Sequence, residues 1–371
     1  MNSDRYTTEA LDMTNDLTDL ERLVLLYPDG YTRDNGNHSE WCWYALSKNL
    51  RLSFILSHPE LPWVYECIYA NKDITTEMIL NGLTDKGIVI NGWNMPTKTI
   101  GTARGGTAYG PWNVELQFNP NITVEVLNKF PDFNWNYNYL ESDIPWEYMK
   151  EQLLKGKRGW HPKQALKNAE NNPGMFEDVL KYYKYFYDSE TARQMCCSPF
   201  YSPYTPWECL MNIPEVELHD GSTVKPNFCW WSVCQNNVNL DWEWILGHCQ
   251  TVEDARFNFY HLSLNPTFKV EYAERYPKPS ICKIDDNNPF LQGSPGNWDM
   301  EVITANANVL WEYILKNPNG ISGVGEWNRK SVSSNPNVPW EVVYKDLQKP
   351  EGTREWDWDL YRLSFNKGLM K

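Results

Sequence analysis

The sequence predicts an all-α fold, an irregular α-solenoid of short helix-turn-helix repeats with loop or hairpin insertions. Three observations support this prediction. The string Asn-Pro-Asn-Val-Pro-Trp-Glu at 335–341 recurs along the chain, an aromatic residue stands eight positions before its first Asn, and the 371 residues include 19 Trp and 22 Tyr. An internal repeat outweighs other sequence signals, because units of this size bury their apolar faces only against one another.

The recurring string has close and distant copies. The close copies lie at 119–125, 237–243, 265–271 and 306–312, and the weaker ones at 58–63, 71–77, 142–147 and 202–208. The aromatic residues that stand eight positions before a repeat Asn are Trp41, Phe257, Trp298, Trp327 and Trp358. An apolar residue followed by Ser often precedes that Asn by two or three positions. Each unit is therefore predicted to contain two short helices joined by an Asn-Pro turn.

The turn residues predict where one helix ends and the next begins. A residue before proline avoids the α region, and Asn tolerates the unusual backbone angles of a helix end, so Asn265 and Asn335 are expected to end a first helix. The Glu that closes each string complements the positive end of the second helix dipole. We expect helices of roughly 8 to 12 residues. The residues expected to cap the second helices are Asn121, Thr123, Asp241 and Asn308.

The tryptophans of the repeat are predicted to anchor a core between stacked helices, in preference to forming a row of ligand-binding rings. The second helix carries an apolar stripe, as Trp340, Val343 and Leu347 illustrate. The predicted structural repeat core consists of Trp41, Trp63, Trp146, Trp207, Trp242, Trp298, Trp311, Trp327, Trp340 and Trp358.

The chain is predicted to hold a cap and one repeat array. Residues 1–40 contain one helical stretch followed by a polar turn and are interpreted as an N-terminal cap. Residues 41–371 carry the Trp-rich repeats, and no linker within them is flexible enough to demand separate domains. The pattern lapses near 81–111, 186–226 and 276–297, where we predict irregular insertions.

Charge and composition restrict the partners. The formal net charge is −14, without a Lys/Arg-rich patch, so nucleic acid is not expected to bind. No apolar run approaches the ~20 residues that a membrane span needs. The first residues lack the basic and apolar regions of a secretory signal. Nine cysteines in no regular framework indicate reduced thiols, so we expect synthesis in the cytosol.

Sites of chemistry are not expected. The glycines at 101–110 are not followed by the Gly-Lys-Ser/Thr of a phosphate-binding loop. Cys229, Cys234, His248 and Cys249 do not have a recognised zinc spacing, and buried thiols are the preferred interpretation. The six histidines belong to no nucleophile, base or zinc motif. We predict no enzyme activity, no catalytic residue, no cofactor and no metal.

The strongest copies resemble a family. Trp-x-Trp-x-x-Leu-Ser at 356–366, alternating with Asn-Pro-Asn-Ile-Thr-Trp-Glu at 334–343, resembles the Trp-rich repeat proteins that nucleocytoplasmic giant viruses, such as mimiviruses and marseilleviruses, encode in many copies. The likeness covers most of 41–371 and lapses at 81–111 and 150–230. The resemblance implies a viral protein made in the cytoplasm of the infected host. It implies no active site.

Three functional classes remain open. The preferred one is a non-enzymatic scaffold that holds other proteins together, as a minor capsid protein or another structural component of a giant-virus particle. Its expected location is the virion, and its expected partners are other viral structural proteins such as the major capsid protein. The alternative is an intracellular adaptor that binds a host or viral protein, as solenoids commonly do. A glycan-binding or glycan-acting protein is the least favoured class.

Overall fold

The fold is rich in helix. The computed structural model describes residues 16–32, 38–84, 87–90, 93–94, 115–137, 140, 142–157, 159–166, 174–186, 203–225, 230–250, 254, 256–277, 298–350 and 352–370. Within these ranges lie 19 α-helices, one 3-10 helix and seven short strands, which agrees with the predicted all-α class. Among the described helices, the longest has 9 residues, and none has the length and apolar character needed to cross a membrane.

The α-helices are α1 Asp19–Leu26, α2 Trp43–Asn49, α3 Leu52–Ser57, α4 Tyr65–Ile68, α5 Thr76–Gly82, α6 Val124–Lys129, α7 Trp146–Leu154, α8 Pro162–Leu166, α9 Met175–Lys181, α10 Tyr183–Phe186, α11 Trp207–Met211, α12 Trp230–Asn236, α13 Trp242–Cys249, α14 Phe259–Ser263, α15 Val270–Arg275, α16 Met300–Ala305, α17 Trp311–Lys316, α18 Trp340–Leu347 and α19 Leu360–Leu363. The 3-10 helix is Ser331–Ser334. The expected length of roughly 8 to 12 residues is wrong for most of them, because the described α-helices have 4 to 9 residues. Helices this short are unstable in isolation, so contacts between them must maintain the fold.

The strands form small antiparallel sheets beside the helices. They are β1 Tyr31–Thr32, β2 His38–Ser39, β3 Leu83–Thr84, β4 Gly87–Ile90, β5 Trp93–Asn94, β6 Val216–Glu217 and β7 Thr223–Val224. Strand β1 pairs with β2, β4 pairs with both β3 and β5, and β6 pairs with β7. The three central strands lie in the predicted insertion at 81–111, whose residues 95–111 fall outside the described part of the chain. Residues 187–202 and 226 of the predicted insertion at 186–226, and residues 278–297 of the one at 276–297, also fall outside it.

One glycine shows how closely the central sheet approaches its neighbouring helix. A Cβ on Gly82, the last residue of α5, would collide with the backbone carbonyl of Val89 in β4. Only glycine leaves room for this contact.

Buried asparagine side chains connect successive repeats. The Nδ2 group of Asn306 donates to Ser263 O at 2.8 Å and to Asn265 O at 3.1 Å. The Nδ2 group of Asn366 likewise donates to Ser333 O at 2.9 Å and to Asn335 O at 3.0 Å. We call the whole set the asparagine ladder. Its members are Asn71, Asn119, Asn237, Asn265, Asn306, Asn335 and Asn366.

The same asparagines also shape their own turns. In each of the seven, Oδ1 accepts the backbone N–H two residues later at 2.8 to 3.0 Å. The amide therefore uses its donors on an earlier repeat and its acceptor on its own turn. Six ladder members are 0 or 1% exposed and Asn306 is 8% exposed, so these bonds form largely out of water.

The ladder corrects the expected role of the turn Asn. Asn306 (φ −70°, ψ 135°) and Asn335 (φ −73°, ψ 117°) have ordinary extended backbone angles. Asn306 precedes Ala307, so a following proline is not what sets this conformation. Asn is needed at these positions because its side-chain amide bonds to an earlier repeat. Its tolerance of unusual backbone angles is not used.

Two of the four expected caps are also wrong. Thr123 and Asp241 accept N–H groups of the first turns of α6 and α13, as expected. Asn308 instead donates to Phe268 O at 3.0 Å, and Asn121 donates to Ile74 O at 3.0 Å. These second asparagines of the string form a further set of contacts between repeats.

The first repeat is shifted by one residue from the predicted register. Asn49 matches the repeat Asn by its distance from Trp41, but its Nδ2 donates to Ala45 O within α2 at 2.9 Å. The next ladder member, Asn71, donates to Leu50 O at 2.7 Å. Leu50 therefore occupies the ladder position in this repeat.

Replacing one ladder asparagine should destabilise the whole protein. Asn335→Ala removes bonds to Thr304 O and Val309 O, both 2.9 Å long, and removes the side-chain acceptor of the Asn337 N–H. We expect the free energy of unfolding to fall by about 3 kcal/mol. Chemical denaturation measures it.

Another Asn-Pro-Asn triplet supplies a control for this substitution. Asn319 belongs to the triplet at 317–319 but is exposed and lies outside the ladder. Asn319→Ala should change the free energy of unfolding by less than about 0.5 kcal/mol. Equal effects of the two substitutions would contradict the role given to the ladder.

Candidate functional site

The predicted tryptophan core separates into two positions. Eight of its ten members are buried, while Trp207 and Trp340 are half-buried. The members that precede a first helix are Trp41, Trp63, Trp298, Trp327 and Trp358, and those that begin a second helix are Trp146, Trp207, Trp242, Trp311 and Trp340. The sequence context of Trp63 predicts the second position, but the structure places it in the first.

Tryptophans of the first position close the end of the preceding helix. Trp298 Nε1 donates to Tyr276 O at 2.7 Å, and Trp327 Nε1 donates to Asn317 O at 2.6 Å. Tyr276 and Asn317 are the C-cap residues of α15 and α17, where carbonyls lack a partner within the helix. The same bond is made to the C-caps of α1, α3 and α6 by Trp41, Trp63 and Trp135.

The five closed C-caps share one backbone conformation. Their φ angles lie between −121° and −129° and their ψ angles between 54° and 65°. Trp135 was not in the predicted core, although it is only 8% exposed. It lies five residues after its acceptor, as Trp63 does, and this spacing is the signal that could have identified it.

Asp346 replaces the carbonyl acceptor at Trp358. The C-cap of α18, Gln348, has right-handed helical angles, and Trp358 Nε1 donates instead to Asp346 Oδ2 at 3.0 Å. The same carboxylate accepts the backbone N–H groups of Glu355 and Trp356 and pairs with Lys349. Burial alone would raise the pKa of Asp346, but Lys349 and these donors outweigh it and lower the pKa below its ordinary value.

Tryptophans of the second position contact aromatic residues either in their own helix or later in the chain. The Trp242 ring stacks on Tyr272 with centroids 4.7 Å apart, and its Nε1 donates to Thr267 Oγ1 at 2.9 Å. Trp311 contacts Trp356 at 5.5 Å. Trp340 contacts Tyr344 of its own helix at 4.7 Å. The Trp242 ring therefore contributes packing area between the second helices α13 and α15, while the Trp340 ring packs against its own helix.

A hydroxyl on the first helix makes the third recurring bond. Ser263 Oγ accepts Asp299 N–H, and Ser333 Oγ accepts Asp359 N–H at 2.9 Å. In each pair the donor is the residue directly after a helix-closing tryptophan. The interior acceptors of this kind are Ser47, Ser263, Thr304 and Ser333.

The residues considered for a zinc site have other partners. Cys234 Sγ donates to Arg256 O at 3.4 Å, His248 Nε2 lies 3.1 Å from Asp254 Oδ2, and Cys249 is buried. Cys229 lies outside the described residues. The described ranges contain no group of three or more His, Cys, Asp or Glu side chains placed to hold a metal ion. The glycines at 101–110 also lie outside them.

Asp254 instead joins an aromatic cluster. Arg256 Nη2 donates to Asp254 Oδ2 at 2.7 Å, and the guanidinium lies 5.1 Å from the centroid of the Trp230 ring. The Trp244 ring stacks on His248 with centroids 4.4 Å apart. Burial alone would raise the pKa of Asp254, but hydrogen bonds from Arg256 outweigh it and lower this pKa. The carboxylate is thus held charged as a structural acceptor.

Several large aromatic side chains are nevertheless exposed. Tyr361 and Phe365 are 57 and 47% exposed and lie with ring centroids 5.5 Å apart. Trp231 and Trp244 are 46 and 37% exposed. We call these four residues the aromatic surface set. Exposed rings of this size are enriched where proteins contact one another.

Comparisons with protein-family models, with curated proteins and with solved structures found no match.

The two tryptophan positions should differ in their effect on stability. Trp358 is 0% exposed and its indole N–H is bonded, so Trp358→Ala should lower the free energy of unfolding by about 3 to 5 kcal/mol. Trp340 is half-buried, and Trp340→Ala should cost about half as much. Denaturant titration of the two variants measures the difference, and equal losses would contradict the assignment.

Asp346 should make stability depend on pH in the acid range. Its folded pKa lies below the unfolded value of about 3.9, so its contribution is complete above about pH 5 and is lost as pH falls through the folded pKa. The difference in the free energy of unfolding between wild type and Asp346→Asn should therefore be constant above about pH 5 and shrink below it. A control, Asn319→Ala, removes an exposed side chain that carries no charge, so its difference from wild type should not change with pH. A difference that grows on acidification would exclude this role.

Proposed function

We propose that the protein is a non-enzymatic α-solenoid scaffold that holds other proteins together within a giant-virus particle, as a minor capsid protein or another structural component. The observation that supports it most directly is the use of the repeat residues. The polar groups of the recurring Asn, Ser and Trp residues bond to neighbouring repeats, so the repeat motif serves to hold the fold together.

The surface favours protein partners. The aromatic surface set leaves large rings in contact with water, and aromatic side chains are over-represented at protein interfaces. The net charge of −14 disfavours the phosphate backbone of a genome. Other viral structural proteins, including the major capsid protein, are the proposed partners, and the resemblance of the repeats to giant-virus proteins supports the location.

The particle assignment predicts a fixed copy number in purified virions. Quantitative mass spectrometry of particles of the encoding virus should detect the protein at a constant ratio to the major capsid protein through successive salt washes. An abundant non-structural viral protein serves as the control and should disappear.

A different result would select the alternative. Loss of the protein from washed particles, together with its recovery on a host or viral protein from infected cells, would reject the structural role and support an intracellular adaptor.

A further inference from the structure

Helix α1 lies against residues from the far end of the sequence. Leu20 N–H donates to Leu369 O at 2.8 Å, and the two side chains are 0 and 1% exposed. Leu20 lies in the first turn of α1, where backbone N–H groups have no acceptor within the helix. Leu369 therefore satisfies a buried donor that α1 cannot satisfy itself.

The recurring serine bond has a fifth member between the same two regions. Ser364 Oγ accepts the N–H of Cys42 at 3.0 Å, and Cys42 directly follows the helix-closing Trp41. The four interior pairs of this kind join a repeat to the next one in sequence, as Ser333 joins Asp359 at 2.9 Å. The repeat that begins at Trp41 thus stands in the position of a successor to the repeat that contains Ser364.

Helix α1 occupies the position of a second helix. Trp41 Nε1 bonds the C-cap carbonyl of α1 at 2.8 Å, as Trp298 bonds the C-cap carbonyl of α15. Thr18 caps α1 as Thr75 caps α5, and both follow an acidic residue and an aliphatic one. The segment at 16–27 therefore has the features of the second half of a repeat.

The electrostatic neighbours of α1 include two residues of α18. Burial raises the pKa of Asp19, Arg22 opposes this effect, and the carboxylate of Glu341 adds to it. Burial and then Tyr344 raise the pKa of Tyr27. Glu341 and Tyr344 belong to α18, the second helix of the repeat that precedes the one containing Ser364.

We propose that residues 358–369 supply the first half and residues 16–27 the second half of one repeat, so that the array closes on itself. Helix α1 is then an internal part of the array, in contrast to the cap predicted from the sequence. The contact between the two halves reproduces the bonds of interior repeats, which lets a solenoid dispense with polar capping units.

Closure restricts where partners bind, whether or not the protein belongs to a virus particle. An open solenoid has two end faces on which another copy can stack. The closed array has none, so partners must use other surfaces, such as the outer helix faces. The aromatic surface set includes Tyr361 and Phe365, which stand on such a face beside the closing contact.

A cross-link across the closing contact tests the proposal in the full-length chain. Phe365 is exposed and directly follows Ser364, which bonds Cys42. Phe365→Cys with a short bismaleimide should yield a peptide pair linking positions 42 and 365 in the monomer. Leu264→Cys is the matched control, because Leu264 precedes ladder residue Asn265 as Phe365 precedes Asn366. It should give no link to Cys42.

Two results would overturn closure within one chain. One is the absence of the 42–365 link in a monomer whose two thiols both react with a monofunctional maleimide. The other is a link found only in a dimer, which would mean that the two halves of the repeat come from different copies.

Amide hydrogen exchange supplies an independent measurement. The N–H of Leu20 should be protected in the full chain, and Ser364→Ala should speed exchange in α1 and α2 by about five-fold, the effect of losing one hydrogen bond. Ser333→Ala removes an interior bond of the same kind and should leave α1 and α2 unchanged. Rapid exchange of Leu20 N–H in the unmodified protein would reject closure.

Discussion

The buried side-chain amide of asparagine is the interaction on which this fold depends. One amide offers two donors and an acceptor, and in a dry interior each of them needs a partner. A ladder asparagine meets this demand by binding its own turn through Oδ1 and an earlier repeat through Nδ2, as Asn306 does. One side chain therefore serves both the local turn and the stacking of repeats. This coupling explains how helices of 4 to 9 residues remain folded.

The tryptophans solve a related problem at the ends of the helices. A short helix has a high proportion of carbonyl groups without a partner, and the indole N–H supplies a donor attached to a large apolar ring. Trp298 thus closes α15 and fills the core in one residue. Where α18 ends with a different backbone conformation, the carboxylate of Asp346 accepts the indole N–H of Trp358 instead. The indole N–H thus has an acceptor in both cases, a backbone carbonyl in one and a carboxylate in the other.

The bonds of the asparagines and tryptophans occupy the polar groups of the repeat inside the protein, so these groups are not available to a partner. Residues of the repeat string that are polar in sequence, such as Asn335 and Ser333, are 0% exposed and engaged. The rings of Tyr361 and Phe365 remain exposed on the outer face of the helices, where a partner can contact them. A scaffold whose motif is internal can vary its surface without losing its fold, which fits the proposed role of holding other proteins.

The sequence by itself determined the repeat, the helix-rich class, the position of the turns and most of the buried tryptophans. These features follow from local spacing and residue type, which a single chain displays directly. It could not show that the turn asparagines bind a neighbouring repeat, because their partners are backbone carbonyls, which every residue possesses. The acceptors of Trp63 and Trp135 could not be predicted for the same reason, and neither could the bond from Leu20 to Leu369. Only the tertiary structure decided these contacts, since they depend on which backbone groups lie next to each other once the repeats have stacked.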